Sequence, residues 1–209
     1  MTNYTKQETI SIITSCAAMY EENLNGRQLL LILKDKHNHF SSMELSFYSY
    51  NFLHLTGIRL NEGLTAADFY NRCLNHKLSQ NDFSFALDGT TQLKLEILPL
   101  LMSKNISAKM VGDFDSYNPK LYTEKLAGGV KACLGFVRNE NGEYIPNTAL
   151  NVDIRTVIKF SKQVIATYRK KKDEPFYQEL VYKSKKIDWD TVVFPKEYSY
   201  LFKPNNNQL

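Results

Sequence analysis

Cysteine, proline and glycine are all scarce in this chain of 209 residues, with counts of three, six and nine. Cys16, Cys73 and Cys133 are far apart and odd in number, and none belongs to a CxxC pair. That spacing argues against a disulfide framework and against a structural zinc site, and three buried thiols in the reducing cytoplasm are expected instead. So little glycine and proline, beside plentiful aromatics, argues against a disordered chain. Long apolar runs are lacking too. The longest, such as Leu29–Leu33, is far too short to span a bilayer, so no membrane partner is expected. No GxSxG, P-loop, GxGxxG or HExxH pattern occurs, and nothing calls for a metal or other cofactor. A strong excess of one charge is missing as well. The net +4 is compatible with nucleic acid but does not demand it.

What is present suits a folded core. Hydrophobic residues make up 43% of the chain, with 13 tyrosines and 12 phenylalanines. The length fits one large domain or a domain with a small appendage. The expected division is an N-terminal helix over 1–27, one α+β domain over 28–200 with a helical insertion at 64–105, and a flexible tail at 201–209. Helical spacing covers 8–24, and Asn25-Gly26 closes it. Strands are expected at 28–34 and 43–48, forming a hairpin. Thr65 caps a helix over 66–76, Ser79 caps a short one, and 91–104 is leucine-rich but interrupted by Pro99. Strands follow at 109–114, 121–126, 130–138 and 144–150. For 154–168 both a helix and a strand fit. Composition favours a hairpin of 163–169 with 177–183.

The stretch Asn51–Arg59 stands out. It sets His54 and Thr56 two residues apart in an apolar run closed by Gly57. Histidine titrates near neutral pH and suits proton transfer, although on an apolar run it is more often a structural residue than a catalyst. A second feature is the hairpin signal Asn141-Gly142. In a two-residue register it sets Gly135 opposite Thr148. Val130, Ala132, Leu134 and Phe136 then face the core, while Lys131, Cys133 and Gly135 share the other face with Tyr144 and Thr148. Pro146 implies an edge or a bulge there. His37 and His39 have HxH spacing, a weak metal signal, and a polar turn is the better reading.

These groups fit metal-free RNA cleavage. One group takes the 2′-hydroxyl proton, another protonates the leaving 5′-oxygen, and cations face the charge on phosphorus. His54 fits base or acid, Lys131 or Lys125 the cation, and Thr56 or Thr148 the phosphate donors. The same residues carry a resemblance. The segments 52–58, 122–128, 131–136, 146–148 and 153–155 resemble the fourth phage group of the barnase–EndoU–colicin–RelE-like nucleases. The resemblance covers roughly 28–186, and His54-Leu-Thr-Gly57 is its most specific part. It implies an α+β fold, with N-terminal and inserted helices packed on a curved antiparallel sheet whose open face holds a metal-independent ribonuclease site. Carried over, it marks His54, Thr56, Lys125, Lys131, Thr148 and Arg155, with Arg59 and Tyr144 added as substrate contacts. The expected partners are RNA, tRNA among the candidates, and an inhibitor or immunity protein. A catalytically silent binding module using the same face is the competing expectation, and the oligomeric state is left open.

Overall fold

The computed structural model describes residues 3–115 and 121–201, so the expected tail falls almost wholly outside the described residues. Helix α1 (Lys6–Asn23) starts on a capping box, in which Thr5 accepts from the Glu8 backbone and Glu8 answers. Strands β1 (Arg27–Lys34) and β2 (Phe40–Ser46) form the expected hairpin, pairing from Gln28–Ser46 to Lys34–Phe40. The turn between them is organised by Asp35, whose carboxylate accepts from the backbones of His37 and His39.

Next come α2 (Phe52–Thr56), β3 (Ile58–Leu60), α3 (Ala66–Leu74), β4 (Phe83–Phe85) and α4 (Thr90–Leu101). β3 and β4 pair as a separate two-stranded sheet. The helix expected at Ser79 is a turn, because Asp82 accepts the Ser79 N–H and is held by Arg72. α4 runs through Pro99 rather than breaking there.

The rest is β-structure: β5 (Met110–Phe114), β6 (Lys125–Gly128), β7 (Cys133–Arg138), β8 (Tyr144–Leu150), β9 (Ile158–Lys171) and β10 (Glu179–Lys183). β9 takes most of the segment for which helix and strand competed. It has β-branched residues, and β1 pairs with it from Arg27–Lys171 to Lys34–Gln163.

The strands do not lie in an open curved sheet, as the sequence led us to expect. They close in the order β1-β2-β8-β7-β6-β5-β9 and back to β1, a seven-stranded barrel with β10 outside on β9. Closure follows from the 14-residue length of β9, whose first half pairs with β5 and whose second half pairs with β1. The seam is weak where β2 meets β8, joined by the single parallel pair Leu45–Tyr144.

β1 explains its own composition. Leu29, Leu31 and Leu33 point inward and join helix residues such as Ile13, Tyr20 and Leu98 in the main core. Leu30 and Ile32 point outward beneath Tyr177 and Val192, so the strand is buried on both faces and reads as an unbroken apolar run. A third cluster, Leu126, Cys133, Ile154 and Val157, covers the outside of β6 and β7.

Candidate functional site

The run 54–57 does four different jobs. His54 is exposed, Leu55 is fully buried in the core, and Thr56 is buried at the end of α2. The Thr56 hydroxyl donates to Leu53 O at 2.7 Å and accepts from the Ile58 N–H, so it caps the short helix and has no hydrogen left for a phosphate. Gly57 then takes φ +72, the left-handed conformation that ends a helix and that favours glycine. A Cβ there would lie 2.8 Å from Lys94 Cδ and 3.1 Å from Thr91 Cα. The missing side chain therefore lets α4 press against the end of α2. Thr91 seals the contact by donating to Gly57 O at 2.6 Å.

That approach brings in Lys94, which the sequence reading passed over. Its ammonium donates to His54 O at 2.7 Å, and it is only 8% exposed. Burial lowers its pKa to about 8, against the pull of Asp88. His54, Arg59, Asp88, Lys94 and Asn147 line one open pocket of about 520 Å³. The His54 ring has no hydrogen bond to any described residue. Desolvation by the pocket walls, and then the charge of Lys94, lower its pKa below the usual histidine value, so the neutral imidazole prevails at pH 7. Asp88 is held below the usual carboxylate range by Thr90, with Arg59 adding to the effect.

Asn147 supplies the β8 wall of this pocket. Its amide accepts from Thr123 and donates to Tyr122 O, which ties the loop segment before β6 to β8 across β7. Gly135 permits that crossing, since a Cβ there would meet both Thr123 and Thr148. The Gly135–Thr148 pairing agrees with the register read from the sequence.

Between that pair and the turn the hairpin shifts by one. Arg138 pairs with Tyr144, and the register recovers in a bulge between Gly135 and Phe136, opposite Pro146. That slip parts two residues that a regular hairpin would put on one face. Thr148 is buried beside Gly135, whereas Tyr144 packs against the main core. Lys131 is exposed in the turn before β7, not in a strand. Arg155 is exposed and ion-paired to Asp153 on a single turn outside β6.

Lys125 and Tyr144 meet elsewhere, in a second pocket of about 640 Å³ at the open end of the barrel. There Lys125 pairs with Asp113, Arg138 lies over the Tyr144 ring, and Lys162 donates to Ser41. Glu143 closes one side, accepting from Tyr48 at 2.6 Å and from Asn139 at 2.9 Å. Burial works to raise the Glu143 pKa, but these donors and Lys172 outweigh it and hold the carboxyl below its usual range.

The eight candidates therefore divide between two pockets, buried positions and exposed turns. His54 and Arg59 share one pocket, Lys125 and Tyr144 the other. Lys94 left a signal in the sequence: like His54, it is a titratable group in an apolar stripe, one turn from Leu98 and two from Leu101 on the same helix face. Asp88 and Asn147 carry no comparable signal, because a loop carboxylate and a strand amide are both common.

Among the described residues no helix is long and apolar enough to cross a membrane. No curated protein and no solved structure matches the chain. A family model does match, over residues 12–186, well beyond half the length. The chain belongs to the phage-Barnase-EndoU-ColicinE5/D-RelE like nuclease 4 family.

Proposed function

We propose that the protein is a metal-independent endoribonuclease whose reaction centre is the His54 pocket. The observation that carries this is an unpartnered, neutral imidazole in a pocket that also holds two cations, Lys94 and Arg59. His54 takes the proton from a ribose 2′-hydroxyl. The freed oxygen attacks the adjacent phosphorus, and the 5′-oxygen leaves with a proton from Lys94, whose pKa of about 8 suits an acid at neutral pH. Arg59 faces the charge that builds on the phosphate oxygens. The products are a 2′,3′-cyclic phosphate and a free 5′-hydroxyl. Thr56 and Gly57 act by position alone, setting His54 at the pocket and Lys94 against its carbonyl. A phage-type nuclease of this kind acts as a toxin or anti-host effector on RNA, tRNA included, and needs a neutralising inhibitor in its producer cell.

The test is purified protein with end-labelled RNA in EDTA, beside a His54→Ala variant. Cleavage to cyclic phosphate ends that the variant abolishes supports the proposal. Binding without cleavage across several RNAs would make the protein a silent binding module.

A further inference from the structure

The residue at the rim of the barrel pocket is strained. Phe160 has φ +51, a conformation that a bulky side chain rarely adopts, and it is 75% exposed. The cause is a bulge: β9 pairs Lys159 with Asp113 and Lys162 with Val111, so Phe160 and Ser161 together oppose Gly112 alone. Gly112 is required there, because a Cβ would lie 2.6 Å from Ile158 Cδ1 and 2.8 Å from Lys159 O. The left-handed position of such a bulge favours glycine, yet the chain places a phenyl ring on it and leaves that ring in solvent. Strain held without packing in return points to function.

The bulge also sets what lies beside the ring. Lys162, two residues on, enters the pocket, where its ammonium donates to the Ser41 hydroxyl and has no carboxylate partner among the described residues. Across the pocket the Arg138 guanidinium lies 4.9 Å from the centre of the Tyr144 ring. An exposed aromatic face next to the Lys162 ammonium, and to an Arg138 guanidinium that Glu124 approaches only to 3.9 Å, matches one ligand chemistry well: a base to stack and a phosphate to pair. On β8, Tyr144 in this pocket is three residues from Asn147 in the His54 pocket, or about 10 Å along the strand.

We infer that the open end of the barrel is a subsite for an unpaired nucleotide, with Phe160 stacking on the base and Lys162 and Arg138 taking the phosphate. The inference rests on the RNA half of the proposed function and not on its chemistry. It accounts for the strain at Phe160, and it gives the two pockets one substrate strand.

The test is fluorescence anisotropy with a short oligoribonucleotide methylated at every 2′-oxygen, a probe that 2′-hydroxyl attack cannot cleave. Phe160→Gly should weaken binding about 5- to 150-fold, the range for loss of one stacked base. Its melting temperature should be held or raised, since glycine suits the left-handed backbone. Phe160→Trp should bind within about threefold of the parent, as any aromatic face can stack. Lys162→Ala should lower the slope of log affinity against log salt by about 0.7. Unchanged binding in Phe160→Gly overturns the inference, as does weakening in step with lost thermal stability. Phe160-dependent binding of an acidic peptide, with the oligonucleotide indifferent to Phe160, would overturn it in favour of a protein partner. A protein that cleaves no RNA but binds the probe through Phe160 sinks the catalytic proposal and leaves this one standing. Cleavage with Phe160-independent binding does the reverse.

Discussion

The two pockets differ in how their charges are held. At the barrel end, cations and carboxylates largely satisfy one another: Lys125 with Asp113, and Glu143 with Tyr48, Asn139 and Lys172. At the His54 pocket the imidazole has no hydrogen bond to any described residue and Lys94 donates to a backbone carbonyl; both pKa values are lowered, His54 from the histidine value and Lys94 to about 8. Satisfied networks hold shape and recognise ligands, whereas groups poised near neutrality move protons. On this difference rests our proposal of chemistry for one pocket and recognition for the other, and each half of it can be broken separately.

The largest effect is expected at His54. Replacing it with alanine should cut the cleavage rate by about 10²- to 10⁴-fold, as for loss of a general base, with no loss of thermal stability at this exposed position. Lys94→Met should cost about 10²- to 10³-fold in single-turnover rate. It should also raise the His54 pKa toward its usual value, read by NMR titration, because the charge that depresses it is gone. The rate of the parent protein should be bell-shaped in pH. It is lost as pH falls through a midpoint below 6.5, where His54 gains its proton, and lost again as pH rises through about 8, where Lys94 gives its proton up. Both folded pKa values lie below the unfolded ones. The unfolded chain therefore binds more protons in each window, and stability should rise with pH below 6.5 and again from about 8 to 10.5.

Gly57→Ala should lower stability by about 1–2 kcal/mol through its left-handed backbone. It should also displace Lys94 and so slow cleavage, which denaturation and kinetics would show together. Lys125→Ala should have the smallest effect of these, under about tenfold and confined to KM, since a recognition contact serves ground and transition states alike.

Much of this was legible in the chain. The β1–β2 hairpin, the strand choice for 163–169 and the Gly135–Thr148 pairing follow from local pattern: alternation, β-branched residues and an Asn-Gly turn. Barrel closure was not legible, because it depends on which partners the two halves of β9 find, and no local pattern encodes that. The one-residue slip at Pro146 was signalled as a bulge, yet its position decides that Tyr144 and Thr148 part company. At the site, His54 announced itself as a titratable group out of place. Lys94 carried the same signature and was missed because a lysine in a helix is ordinarily solvated. Its burial arises from Gly57 on another helix, a contact visible only in three dimensions.

The central claim is that chemistry belongs to the His54 pocket and recognition to the barrel end. Its most direct test is single-turnover cleavage of one labelled RNA in EDTA by His54→Ala and Lys125→Ala side by side, at saturating protein. The account predicts that the first loses at least about 10²-fold while the second stays close to the parent rate. A parent rate in His54→Ala, with cleavage abolished in Lys125→Ala, would contradict it and move the reaction to the barrel.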